Sequence, residues 1–151
     1  MKHLALILLC VLALPAAADG ARDRGVVVKK STHSVAATLD KLEGIVKSKG
    51  FTVFARIDHA AGASKVGKEL RPTQVLLFGN PKIGTALMLS DQRAGLDLPI
   101  RVAAWQDEKG QVWIAYNAPQ WLASRHGIDN RAKLIEKMTG VLGKLTSAAA
   151  N

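Results

Sequence analysis

Cysteine is almost missing from this chain, and the single one, Cys10, sits inside the apolar run of residues 4–14. Once that run is removed, disulfides, cysteine-ligated metals and cysteine nucleophiles are all excluded. A long hydrophobic stretch is missing too. The run is roughly eleven residues, about half of what a bilayer span needs. It follows a positive start at Lys2 and ends in Pro15 and Ala16-Ala17-Ala18, the pattern of a secretory signal cleaved after Ala18. Leu9 in front of Cys10 argues against a lipoprotein. The expected layout is a signal at 1–18, a short linker at 19–25, one domain at 26–147 and a tail at 148–151, with no membrane span in the mature chain and a periplasmic or secreted destination.

Acidic residues are scarce, 12 against 21 Lys and Arg. The excess cations are spread along the chain from Arg22 to Lys144 with no clustered basic-aromatic motif, which favours solubility and loose attraction to anions over a nucleic-acid track. Catalytic signatures are lacking as well. The histidines left after the signal, His33, His59 and His126, show no H-x-H, H-E-x-x-H or H-x-x-x-H spacing, so no metal site and no cofactor is expected. No G-x-S-x-G elbow is present, and nothing fixes a separation between Asp58, Asp97 and Asp107. Aromatics make up only 5%, and Trp105, Trp113 and Trp121 read as core or interface anchors.

What is present is an alternation of short strands and helices. Residues 25–30 are a β-branched strand. Ser34 caps a helix in which Val35, Leu39, Leu42 and Val46 recur at helical spacing, closed by Gly50. A strand at 51–57 leads into the small-residue stretch 59–64, which has room for a short helix. A second apolar strand at 74–78 ends in Gly79-Asn80-Pro81-Lys82-Ile83-Gly84-Thr85. A phosphate-binding P-loop needs Lys and then Ser or Thr directly after the second glycine. Here Thr85 follows Gly84, Lys82 lies inside the frame, and Pro81 removes an amide. The stretch therefore reads as a strand end, an Asn80 N-cap and a helix started by Pro81, with Ile83 and Leu87 facing the core. Its free amides and Lys82 could still hold a small anion.

A loop at 91–99 precedes a hairpin, 100–106 and 111–117, around a four-residue turn at 107–110. That turn pairs Trp105 with Val112, Ala103 with Ile114 and Arg101 with Tyr116. A short helix starts at Pro119 and ends at Arg125-His126. A long helix at roughly 130–147 carries Leu134, Met138, Val141 and Leu145 at core spacing. Gly140 and Gly143 weaken it by about 1 kcal/mol each, which suggests close packing against the sheet. The strands are apolar on both faces, and the two long helices suffice for one face only. The second face needs an apolar ligand or another copy of the chain, and a symmetric dimer is the commoner solution.

Four ordered stretches, "FARIDHAAGA" at 54–63, "LRPTQVLLFGNPKIGTALM" at 70–88, "GLDLPIRVAAWQDEKGQVWIAYN" at 95–117 and "LASRHG" at 122–127, resemble the domain of unknown function 302 family over roughly residues 26–146. The resemblance implies an α+β domain with a TATA-binding-protein-like outline, in which two long helices pack on one face of an antiparallel sheet of four to five strands, often paired as a homodimer. It implies no reaction. Its polar motif positions here are Asp58, His59, Asn80, Lys82, Asp97, Asn117, Arg125 and His126. The resulting expectation is an exported, non-enzymatic homodimer that binds a small polar or anionic ligand in a cleft between element ends. Two alternatives stand beside it: an enzyme of unknown reaction with His59 or His126 as general base, and a module that docks another envelope protein.

Overall fold

The computed structural model describes residues 25–151. The signal at 1–18, its cleavage point after Ala18 and the linker up to residue 24 lie outside the described residues. In chain order the elements are β1 (Val26–Ser31), α1 (Val35–Ser48), β2 (Thr52–Asp58), α2 (His59–Lys65), β3 (Thr73–Gly79), α3 (Pro81–Met88), a 3-10 helix (Gln92–Leu96), β4 (Ile100–Gln106), β5 (Val112–Asn117), α4 (Pro119–Arg125) and α5 (Ala132–Ala150). The strands form one sheet in the order β1-β5-β4-β3-β2, and every neighbouring pair is antiparallel. This is the expected α+β architecture, with five strands.

The helix signals act as the residue types require. Ser34 Oγ accepts from the amide of Ala37 at 3.2 Å and starts α1. Val35, Leu39, Leu42 and Val46 are buried against the sheet, and each such side chain contributes roughly 1.5–3 kcal/mol of burial. Gly50 takes a left-handed φ of +75° and lets the chain turn into β2. Asn80 caps α3, and Pro81 occupies its first turn.

The hairpin differs from expectation by one residue. Gly110 adopts φ +80° and donates to Asp107 O at 3.1 Å, while Asp107 donates to Gln111 O at 2.9 Å. The loop proper is therefore the three residues 108–110, a turn closed by a left-handed glycine. The carboxylate of Asp107 braces it by accepting from the amides of Lys109 and Gln111 and from Trp113 Nε1 at 2.7 Å. The Trp113 bond leads in holding the Asp107 carboxyl below its ordinary range. Trp105 consequently pairs with Trp113 rather than Val112, Ile114 with Ala104 rather than Ala103, and Tyr116 with Val102 rather than Arg101. A slip of one residue exchanges faces. Val102, Ala104, Ile114 and Tyr116 meet the helices with Leu76 and Phe78, and the two tryptophans lie on the opposite face.

On that opposite face one row is apolar across all five strands, flanked by Lys30, Thr73, Arg101 and Asn117. Ile57, Val75, Ala103, Ala115 and Val28 form one continuous row by register, and Val26, Val28 and Ile57 are 47%, 47% and 44% exposed.

The stripe of α5 is also rotated from expectation. Met138 and Leu145 are buried as foreseen, but their companions are Ile135 and Leu142, with Leu134 and Val141 only flanking. The helix runs on to Ala150, and its end is tied to the β1–α1 corner by Thr32 N→Ala150 O at 2.9 Å. Lys29 adds a clamp, donating from β1 to Gly143 O, Thr146 Oγ1 and Ser147 Oγ at 2.7, 2.9 and 2.8 Å. Burial pushes its pKa down. Close packing does not explain the glycines, because a methyl at Gly140 or Gly143 would meet nothing within 4 Å.

Gly140→Ala and Gly143→Ala should therefore each stabilise the protein by up to about 1 kcal/mol. Gly25→Ala should destabilise it, since its added carbon would run into the Trp121 ring at a φ of +71°. Chemical denaturation midpoints of the three variants check both signs.

Candidate functional site

The polar motif residues separate into two ends of the sheet. Asp58 closes β2 and pairs with Gln74, whereas Thr52 at the start of β2 pairs with Gly79. Because β2 and β3 are antiparallel, Asp58 and His59 lie roughly 20 Å from the end where Asn80 follows β3. The expected single cleft of eight residues does not form. Asp58 instead caps α2, accepting from the amide of Ala61 at 2.9 Å and from Gln74 Nε2 at 3.1 Å. His59 is the exposed first residue of that helix. Asn80 Oδ1 accepts from the Lys82 amide at 3.0 Å, so one amide expected to be open to an anion is already occupied, and Lys82 is exposed.

At the other end, Asp97 and His126 do meet. Asp97 ends the 3-10 helix and His126 ends α4. His126 Nε2 and Asp97 Oδ2 are 2.6 Å apart, with side chains 4% and 8% exposed. Arg125 Nη1 lies 3.5 Å from Asp97 Oδ1, and its guanidinium stacks 5.1 Å from the centre of the Trp121 ring. Asn117 is close by, but the hollow it shares with Asp97, Arg101 and Leu122 measures about 10 Å³, scarcely the space of one water. This cluster is a lock that joins the 91–99 loop to α4. At the loop's other end Asp91 caps the 3-10 helix, its carboxyl accepting from the Arg93 guanidinium and amide and drawn down by them to about 2, and Arg131 Nε donates to Ser90 Oγ at 3.0 Å.

The space the lock supports lies next door. Leu98, Pro99 and Ile100, which follow Asp97 directly, form one wall of a cavity of about 610 Å³. The α3 wall supplies Asn80, Pro81, Ile83, Gly84, Thr85 and Met88. The α5 wall supplies Lys137, Met138, Val141 and Leu142, and the α1–β2 corner supplies Lys49, Phe51 and Phe54. Apolar side chains dominate. The charged residues among the described lining are Lys49 and Lys137, with no carboxylate beside them.

Two backbone features open this space. A bulge between Val53 and Ala55 leaves Phe54 outside the ladder, 57% exposed, where bulges typically re-aim a side chain. Gly84 leaves α3 thin: a Cβ there would sit 3.8 Å from Leu98 Cδ1. The cavity draws on four stretches of chain, 49–54, 78–88, 95–100 and 137–142, and the hint to it in the sequence was Gly84 within α3.

Residues 27–145 match the family described as Domain of unknown function DUF302. A protein of Brucella suis biovar 1 named Fluoride-specific ion channel FluC 1 is 45% identical over 130 residues, covering 85% of this chain and 51% of that protein. A Brucella melitensis biotype 1 protein named Fluoride-specific ion channel FluC 2 is 45% identical over 130 residues, covering 85% of this chain and 48% of its own length. The chain thus spans about half the length of the curated relatives it matches. No helix among the described residues is long and apolar enough to cross a membrane. The crystal structure of an uncharacterized conserved DUF302 protein from Bacillus stearothermophilus aligns with a TM-score of 0.66 at 20% identity, covering 84% of this chain and 96% of that one, which is a likeness of fold.

If the Asp97–His126 pair is a structural lock, Asp97→Ala should lower stability by roughly 1–3 kcal/mol by stranding a buried imidazole. Lys82→Ala, exposed and on the same side of the sheet, should stay within about 0.5 kcal/mol. Urea melts of the two variants compare them directly, and equal midpoints would contradict the lock.

Proposed function

The chain belongs to the DUF302 family, whose description assigns no reaction, and from that premise we propose that it is an exported, non-enzymatic binding domain that pairs as a homodimer. The observation that carries the ligand-binding half is the cavity of about 610 Å³, within the usual 300–1,000 Å³ of small-molecule sites. Its walls are apolar, and Asn80 and Thr85 are polar points on them. The buried Asp97–His126 bond stiffens the loop that forms one side. Of the polar motif positions, Asp97, Arg125 and His126 therefore serve the site by holding a wall. Asn80 is the motif residue that lines it.

The pairing half rests on the apolar row from Ile57 to Val28 on the sheet face opposite α1 and α5. A second copy, related by a two-fold axis, would cover this row with an identical one. A different reading, a module that docks another envelope protein through the same face, is favoured by the Brucella relatives, in which the matched region is about half of a longer protein named as an ion channel.

A neutral, environment-sensitive apolar dye should bind the protein and brighten, and Gly84→Leu, which projects into the cavity from α3, should abolish the signal while leaving the fold intact by circular dichroism. Retention of dye binding in that variant would place the site elsewhere.

Light scattering on the exported protein, expected to begin at Asp19, should give twice the chain mass, and Val28→Lys should return it to one. A wild-type protein that is monomeric at high concentration would favour the docking module.

A further inference from the structure

We propose that the cavity takes a single-chain amphipathic anion, whose apolar body lies between α3 and α5 and whose carboxylate or phosphate head sits beside Lys49 and Lys137. This rests on reading the cavity as the binding site, and it names the ligand class.

Size and lining set the body. A volume of about 610 Å³ holds roughly twenty non-hydrogen atoms if each takes about the 30 Å³ of a water molecule. The walls facing that space are side chains such as Phe51, Phe78, Ile83, Met138 and Leu142, which reward methylene groups and give few partners to a polar body. An ordinary sugar or amino acid would leave most of its hydrogen bonds unmade there.

Charge sets the head. Lys49 comes from the α1 C-terminus and Lys137 from α5, both exposed, so their ammonium groups remain hydrated and free to turn toward a ligand. No carboxylate stands among the described lining residues to neutralise them. Two ammonium groups beside an apolar space complement a molecule that is greasy along its length and negative at one end. A cationic amphiphile would meet repulsion, and a neutral one would gain nothing from the rim.

The test is titration calorimetry of the full protein at low salt, with ligands below their micelle-forming concentrations. Dodecanoate and dodecyl phosphate are expected to bind, dodecanol at least about tenfold more weakly, and dodecylammonium more weakly still. Shortening the carboxylate should loosen Kd by roughly fourfold per methylene. The double variant Lys49→Glu/Lys137→Glu, with both changes on exposed residues, should weaken dodecanoate by about tenfold or more and leave dodecanol unchanged. Lys65→Glu/Lys68→Glu, exposed at the opposite end of the sheet, makes the same change in overall charge and is the control. Equal binding of dodecanol and dodecanoate, or a Lys49/Lys137 variant indistinguishable from wild type or from that control, overturns the ligand class. In either case the neutral dye would still report a working cavity. Loss of all amphiphile binding together with dye binding would remove the cavity reading itself.

Discussion

A five-stranded antiparallel sheet has two faces, and the side chains that reach each one are decided where its strands turn. In this protein the decisive turn is the β4–β5 loop, in which Gly110 takes a conformation that costs other residues energy and Asp107 gathers two amides and an indole N–H onto one carboxylate. With the loop fixed at that length, Val102, Ala104, Ile114 and Tyr116 point toward α1 and α5. The central strands have only one register that buries these residues. Everything built on the sheet, including the cavity at one end and the apolar row on the reverse, inherits that register.

Much of the architecture is legible in the residues because local chemistry determines it. A serine before an apolar helical stripe, an asparagine followed by proline, and a glycine after the last turn each satisfy backbone groups in one way, and α1 and α3 follow them. The hairpin register was harder to read. A four-residue turn at 107–110 and a three-residue turn with a left-handed Gly110 use the same letters and differ only in which amide meets which carbonyl. The α5 stripe slipped for a related reason: Leu134 and Ile135, or Val141 and Leu142, are equally oily neighbours, and tertiary docking at Ala150 selects between them.

The candidate site lies further from sequence reasoning. Asp97 and His126 are far apart in the chain yet meet in a nearly dry contact, while Asp58, a carboxylate of the same kind, ends up as a helix cap at the remote edge of the sheet. Asp58 stands directly before a short helix and is used up as its cap, whereas Asp97 stands before Leu98-Pro99 and is left for a partner from α4. The cavity depends on a bulge, a thin helix face and lysines from two helices, a combination that no spacing rule describes. Its polar neighbours Asp97 and His126 brace the loop that forms one wall and do not line the space themselves.

The two outer strands have a consequence for how copies of this chain can meet. An edge strand offers unpaired amides and carbonyls to any similar strand, and growth along that direction has no natural end. Here β1 carries Lys29 and Lys30, the first drawn inward onto α5 and the second beside Trp113, and β2 is broken by the bulge at Phe54. Both borders are thus poor templates for endless stacking into fibres. One border is guarded by a cation and the other by a kink, so the same two strands that complete the sheet also end it.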